Sequence, residues 1–281
     1  MEDILLAIAI LGGMGLLFGL ALALASRVFR VEEDPRLEEL TQALPGANCG
    51  GCGYAGCAGY AKAVLDGTAP IGKCASGGNE AAEKMAAIMG VKAEKVARRV
   101  ALVRCAGYKR TDADGKPTGA RMKGAYEGLP DCLAATKVAG RGPLICKFGC
   151  LGFGNCTAAC KYDAIHVVDG VAKVDPEKCV GCMQCAARCP RQLIVPVEYG
   201  KRTILACASK AKGAVTIRGC SSGCIGCGLC KKVCPEGAIT VEQNLASIDY
   251  DKCTSCGLCA GACPKKLITC VPLADPAKEP V

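Results

Sequence analysis

The chain has 281 residues, of which 25 are cysteine, none is Trp and only 4% are aromatic. That composition excludes a fold built on one large aromatic core and makes cysteine the framework residue, through disulfides or through metal. The formal charge of +9 counts every thiol as neutral, so by itself it is no argument for a nucleic-acid partner.

Residues 4–25, ILLAIAILGGMGLLFGLALALA, are uncharged and long enough to cross a bilayer. A signal peptide would open with a basic region, whereas this chain opens Met1-Glu2-Asp3. A retained anchor is therefore expected, although Ala23-Leu24-Ala25-Ser26 weakly resembles a cleavage site. Acids precede the span and Arg27 and Arg30 follow it, so the positive-inside rule places the remainder in the cytoplasm. A reducing compartment favours metal ligation over disulfides. Gly15 and Gly19 form G-x-x-x-G, which suits packing against another membrane helix and is also ordinary in a lone span.

Residues 31–45 read as a charged helical lead stopped at Pro45. Cys49, Cys52 and Cys57 then stand as C-x2-C-x4-C in a glycine-rich turn, with Cys74 after a gap. Three thiols from one loop and a fourth from further on suit a [4Fe–4S] cube, and a helix over residues 58–65 would turn its positive end to that anion. A thioredoxin-type C-x-x-C would want a βαβ context and no further cysteines. Asn79 is expected to cap a helix over 80–89 that stops at Gly90. Residues 91–104 hold a second amphipathic piece or a short strand, and 111–119 a turn-rich loop.

From Cys146 a ferredoxin-like pattern begins in altered form: Cys146-x3-Cys150-x5-Cys156-x3-Cys160, with Lys161 where proline is usual. Its second half, Cys179, Cys182, Cys185 and Cys189-Pro190, is regular. The most regular stretch follows. Cys224, Cys227, Cys230 and Cys234-Pro235, then Cys253, Cys256, Cys259 and Cys263-Pro264, each spell C-x2-C-x2-C-x3-C-P, the bacterial ferredoxin run. Three thiols of each run wrap one cube, and the fourth, before proline, ligates the other. The expected sets are Cys224, Cys227, Cys230 with Cys263, and Cys253, Cys256, Cys259 with Cys234. By the same crossing, Cys146, Cys150, Cys156 join Cys189, and Cys179, Cys182, Cys185 join Cys160, the first of these being the least regular. Zinc sites pair two C-x-x-C hooks and need neither the third cysteine nor the C-P.

The two pairs form an internal repeat. AIHVVDGVAKVDPEKC (164–179) aligns with AITVEQNLASIDYDKC (238–253), each a strand, a turn and a second strand before a cluster loop. Five [4Fe–4S] clusters account for these ligands. Cys105, Cys132, Cys207, Cys220 and Cys270 stand over as packing cysteines, with room for a sixth cluster involving Cys105 and Cys132 but no two further ligands to complete it. About twenty thiolates carry about −20 and five oxidised cores return about +10, so the loaded chain is near neutral and no nucleic-acid partner is expected. The lone histidine, His166, rules out a two-histidine Rieske centre, and no C-x-x-C-H allows a c-type haem. The glycine pair Gly152-Phe153-Gly154 runs straight into cluster ligands, and no Walker loop or dinucleotide fingerprint is present.

The predicted fold class is α+β: a transmembrane anchor (1–26), a four-cysteine [4Fe–4S] module (27–100), a connecting segment (101–140), two tandem bacterial-type 2[4Fe–4S] ferredoxin-like units (141–200 and 201–270) and a tail (271–281). An anchor, a CGGCG-x4-C module at Cys49–Cys57 with Cys74, and then ferredoxin pairs resembles the B subunit of the Rnf complexes, the ion-translocating ferredoxin:NAD⁺ oxidoreductases. The resemblance covers essentially the whole chain and is to the longer form with two pairs. It implies a relay subunit with no catalytic site of its own, which takes electrons from reduced ferredoxin. It passes them to other subunits that carry flavin and NAD sites and move Na⁺ or H⁺. It also implies a single-pass location in the cytoplasmic (inner) membrane with the clusters on the cytoplasmic side. A polyferredoxin subunit of another membrane hydrogenase or reductase is the same wire in a different machine.

Overall fold

The computed structural model describes residues 2–28, 34–107, 110–111, 117–201 and 203–270. Arg30, the 271–281 tail and much of the 111–119 loop lie outside them. The first element is a long helix, α1 (Glu2–Val28), whose stretch Ile10–Arg27 is long and apolar enough to cross a membrane by length and composition. Its described side chains are almost all exposed, Leu11 and Leu16 by 70% and 72%, so nothing among the other described residues covers it.

α2 (Pro35–Gln42) starts where Asp34 accepts the Arg36 backbone N–H at 2.9 Å and Pro35 presets the first helical φ. It packs with α3 (Gly56–Leu65) and α4 (Gly78–Met89) around Leu40, Tyr60, Val64 and Met85. Tyr60 fastens this small bundle: its hydroxyl donates to Pro70 O at 2.8 Å and accepts from Lys73 N at 3.1 Å, which fixes the loop leading to Cys74. α4 ends at Gly90 in the left-handed region as expected, but Asn79 does not cap it. The helix begins two residues earlier, with Gly77 at the cap, and Asn79 Oδ1 accepts the Val96 N–H instead.

Within residues 91–104 only Arg99–Val103 form a regular element, a strand rather than a helix. β1 (Arg99–Val103) is followed by a short hairpin, β2 (Arg110–Thr111) and β3 (Pro117–Thr118), and by α5 (Cys132–Lys137). Then come α6 (Asn155–Ala158), β4 (Ile165–Val168), β5 (Val171–Val174), α7 (Gln184–Ala187) and β6 (Ile194–Glu198). The second unit runs β7 (Thr203–Leu205), α8 (Gly213–Gly219), α9 (Leu229–Lys232), β8 (Ile239–Glu242), β9 (Leu245–Ile248), α10 (Leu258–Ala262) and β10 (Ile268–Cys270).

Each unit has the expected central hairpin, β4–β5 or β8–β9, in matching register: Ile165 faces Val174, and Ile239 faces Ile248. The second sheet of each unit is not a hairpin. It joins the strand before the first cysteine loop to the strand after the last, β1 to β6 and β7 to β10, both antiparallel. The sheet of the first unit therefore begins at Arg99, and the 101–140 stretch is an insertion within that unit rather than a link before it. Apolar residues facing inward from these ribbons share the core with cysteines, Ile165, Ala172 and Ile194 with Cys156, Cys179 and Cys185, and Ile239, Ala246 and Ile268 with Cys224, Cys230 and Cys259.

Candidate metal centres

All 25 cysteines are free of disulfides. Among the described residues no group of three or more His, Cys, Asp or Glu side chains is placed to hold a single metal ion. Four cysteine sets instead line separate hollows that are partly open to solvent. Thiols arranged around a cavity suit a cluster core; a lone zinc would draw them onto one point.

Cys49, Cys52, Cys57 and Cys74 line one such cavity, together with Cys182 from the neighbouring unit. Cys57 lies in the first turn of α3, its N–H held at 2.8 Å by Asn48 Oδ1, so the positive end of that helix faces the thiols. Burial raises the Cys74 thiol, and the nearby Cys52, Cys49 and Cys57 raise it further. In the second unit Cys224, Cys227, Cys230 and Cys263 line one cavity and Cys234, Cys253, Cys256 and Cys259 another, the crossed sets that the spacing predicts. Burial, helped by the Cys253 and Cys256 thiols, pushes Cys259 up to about 11.

The regular half of the first unit also gathers as predicted. Burial and then the Cys179, Cys182 and Cys160 thiols push Cys185 up to about 11. Backbone N–H groups reach these sulfurs, from Ala101 to Cys179 Sγ at 3.3 Å and from Ala164 to Cys160 Sγ at 3.4 Å.

The altered half does not gather as predicted. The remaining cavity is lined by Cys132, Cys150, Cys156 and Cys189; Cys132 stands where Cys146 was expected. The cause is a register shift within the loop. Cys150-x2-Phe153-x2-Cys156-x3-Cys160 overlays the regular run, with Phe153 in the slot of the middle cysteine. The backbone agrees. The second residue of each loop, Gly152, Gly181, Gly226 or Ser255, has a φ of 74°, 69°, 68° or 56°. The fourth, Gly154, Met183, Gly228 or Gly257, has a φ of 84°, 59°, 75° or 80°. At Gly152 a Cβ would lie 2.6 Å from Gly170 O in the β4–β5 turn, so this tight seat on the hairpin requires glycine. Phe153, half-buried, packs with Tyr126, ring centroids 5.2 Å apart, against Cys132, Ala135 and Leu151, and Cys132 comes in from α5. Asn155 clamps it by accepting the Cys132 N–H at 2.8 Å and donating to Asp131, the α5 N-cap. The signals available in sequence were the Gly152 and Gly154 spacing and the Phe in a cysteine slot.

The modules touch cage to cage. Gly51 sits against the Cys182 backbone, where a Cβ would lie 2.6 Å from Cys182 O, and Gln184 donates to Cys49 O. Lys161, standing where proline is usual, donates to Ala47 O at 2.8 Å. His166 is exposed on β4 with Nε2 at 3.0 Å from Asp163 O, away from every thiol set.

Cysteine loops paired on two-ribbon units define an iron–sulfur protein of ferredoxin type. Three families match the chain: FeS, an Fe-S cluster family, over residues 44–76; Fer4, the 4Fe-4S binding domain, over 172–195; and Fer4_7, the 4Fe-4S dicluster domain, over 223–267. The chain is 43% identical over 253 residues to the B subunit of the Na(+)-translocating ferredoxin:NAD(+) oxidoreductase complex of Acetobacterium woodii, covering 90% of this chain and 73% of that one. It is 39% identical over 251 residues to the B subunit of the proton-translocating ferredoxin:NAD(+) oxidoreductase complex of Clostridium ljungdahlii, covering 89% and 85%. To the B subunit of the ion-translocating oxidoreductase complex of Methanosarcina acetivorans it is 37% identical over 252 residues, covering 88% and 90%. The chain belongs to the family of B subunits of these ion-translocating Rnf oxidoreductase complexes and is their iron–sulfur electron-transfer component.

Proposed function

We propose that this chain receives electrons from reduced ferredoxin at its second unit and hands them, through the first unit and the Cys49 module, to membrane partners that carry flavin and NAD sites. The α1 helix would be a single-pass anchor with the cage-bearing units on the cytoplasmic side. The thiol sets form a spatial series that carries this reading. Cys227 and Cys256 are exposed at the far end, and the Cys182–Cys49 contact lies at the end toward α1 in sequence. The ligand sets we assign are Cys49, Cys52, Cys57, Cys74; Cys132, Cys150, Cys156, Cys189; Cys160, Cys179, Cys182, Cys185; Cys224, Cys227, Cys230, Cys263; and Cys234, Cys253, Cys256, Cys259. A bound [4Fe–4S] cluster supplies a one-electron store that is charged and discharged without moving atoms. The chain's own part is to space these stores, shield them and direct N–H groups at their sulfurs.

Exposed Lys231, Lys232 and Lys266 surround the second unit's cages and suit an acidic electron donor. Replacing all three by Glu should slow reduction of the chain by reduced ferredoxin about tenfold at low salt. The wild-type rate should itself fall as salt rises. Stopped-flow bleaching of the cluster absorbance measures both, and a rate indifferent to charge and salt would remove this docking face.

Arg191 is a second test. Its guanidinium is largely buried and donates to the carbonyls of Cys146, Gly149 and Arg141; burial lowers its pKa while the Cys146 and Cys150 thiols oppose that. A fixed cation near a cluster stabilises the more negative, reduced state. At about 8 Å and an effective dielectric of about 20 that is on the order of 2 kcal/mol, or about 90 mV for one electron. Arg191→Gln should make the adjacent potential more negative by about that much in an EPR redox titration, and Arg191→Lys should restore most of it.

A further inference from the structure

Of the cysteines outside the five sets, four come together from distant parts of the chain. Cys105 follows β1 and Cys207 follows β7, in the matching stretches Cys105-Ala106-Gly107 and Cys207-Ala208-Ser209. Their hydrogen bonds match as well. Cys105 Sγ accepts from Gly107 N at 3.4 Å and from Cys150 N at 3.3 Å; Cys207 Sγ accepts from Ser209 N at 3.4 Å and from Cys224 N at 3.4 Å. Cys150 and Cys224 are each the first cysteine of their unit's opening loop, and each is preceded by another thiol at the same step: Cys146-x3-Cys150 and Cys220-x3-Cys224. The internal repeat thus generates two pairs, Cys105 with Cys146 and Cys207 with Cys220.

The fold brings the pairs face to face. The 119–123 strand segment bridges them: Ala120 pairs with Cys220, Arg121 N donates to Gly219 O at 2.8 Å, and Ile145 N donates to Arg121 O at 2.9 Å. Ala120 N also donates to Gly107 O at 3.0 Å, which brings in the Cys105 turn. Gly219 lies so close that a Cβ there would be 3.7 Å from Cys146 N. Cys207 is buried and Cys105, Cys146 and Cys220 are half-buried. The Cys146 thiol is near enough to help raise the other three, and burial, the main cause, takes Cys105 to about 12 and Cys220 to about 11.

We propose that Cys105, Cys146, Cys207 and Cys220 hold a sixth [4Fe–4S] cluster at the junction of the two ferredoxin-like units. The proposal rests on the reading of the other sets as cluster ligands. The donor set is four thiols in two symmetry-matched pairs, two of its sulfurs already receive backbone N–H groups, and the site lies among sites of the same chemistry. Its position is between the Cys224 and Cys150 cages, since its own sulfurs accept from the N–H groups of both those ligands. In transit one electron enters and one leaves, and no bond is made or broken. With this cage the series runs unbroken from the exposed Cys256 end to the Cys49 module; without it, the two units face each other across a gap filled by bare thiols. Cys270 alone joins no set: it is exposed, with Sγ 3.8 Å from Ser255 O.

The test is iron and acid-labile sulfide per full-length chain, purified anaerobically, with EPR or Mössbauer spectra alongside. About 24 of each is expected in the wild type, about 20 in Cys220→Ala and in Cys207→Ala, and no loss in Cys270→Ala. A wild type at about 20 with the same value in Cys220→Ala would overturn the sixth cluster and leave the five sets standing. So would a wild type at about 24 that loses nothing in either variant. A wild type near eight would instead overturn the five-set reading, and the sixth with it.

Discussion

Removal of iron under oxidising chelation should unfold residues 99–270 rather than leave an empty scaffold. The described strands form only two-stranded ribbons, five of them, none longer than Arg99–Val103 or Ile194–Glu198. Isolated ribbons of that kind are marginal in water. What holds them together is a core in which buried cysteines alternate with Ile, Val and Ala, and those cysteines face cavities. Emptying the cavities leaves each apolar wall without a partner and costs the folding energy that ligation supplies, about 10–16 kcal/mol for a structural zinc site by comparison. A domain's net stability is only about 5–15 kcal/mol. The expected result is loss of protease resistance across both units and of the far-UV strand signal, while the α1 helix persists in detergent. Unchanged proteolysis after iron loss would show that the ribbons stand by themselves.

The sequence made ligand spacing legible wherever one loop supplied three thiols, because a cube needs three donors within one tight turn. The Cys49 module and the three regular loops are cases of this, and the crossed fourth ligands Cys189, Cys234 and Cys263 followed from the C-P rule, Cys160 only from its matching position. What stayed hidden depended on long-range pairing. The β1–β6 sheet joins residues on either side of the whole first unit, and no local pattern in 91–104 announces its partner. Cys132 reaches its cage only because Asp131 and Asn155 clamp α5 to the loop. Cys105, Cys146, Cys207 and Cys220 come from four separate segments; counted one at a time, Cys105, Cys207 and Cys220 read as packing cysteines and Cys146 as a ligand of the neighbouring cube. The repeat itself carried the missing information: Cys146-x3-Cys150 and Cys220-x3-Cys224 are one motif seen twice. Counting Cys146 with Cys150 as consecutive ligands of one cube obscured it. The electrostatic balance changes too, since four more thiolates with one more core add about −2 in the oxidised state.

Substitution of Cys132 should remove one cluster, and a second substitution in the neighbouring loop should bring it back. In the regular loops the middle ligand lies outermost: Cys227 and Cys256 are exposed, whereas Cys224, Cys230 and Cys259 are buried. In the altered loop Phe153 holds that outer slot, its ring faces Tyr126, and the fourth thiol comes from buried Cys132 on α5. The insertion therefore does two things at once, supplying a ligand from α5 and, in Tyr126, a packing partner for the Phe153 ring. Cys132→Ala should lower iron and sulfide by about four each, with loss of one cluster's EPR signature. Phe153→Cys added to that variant restores C-x2-C-x2-C on a backbone whose flanking φ angles at Gly152 and Gly154 already match the regular loops, and should recover the count. Losing the ring contact with Tyr126 costs about 1–3 kcal/mol, small beside what ligation contributes. The rescued cluster would then be held by a solvent-facing thiol, so its potential should differ from the wild type's and its lifetime in air should be shorter. Phe153→Cys should not rescue Cys146→Ala, because Cys146 serves a different cage. If Cys132→Ala keeps its full iron content, the altered loop takes its fourth ligand from elsewhere and the assignment built on α5 fails.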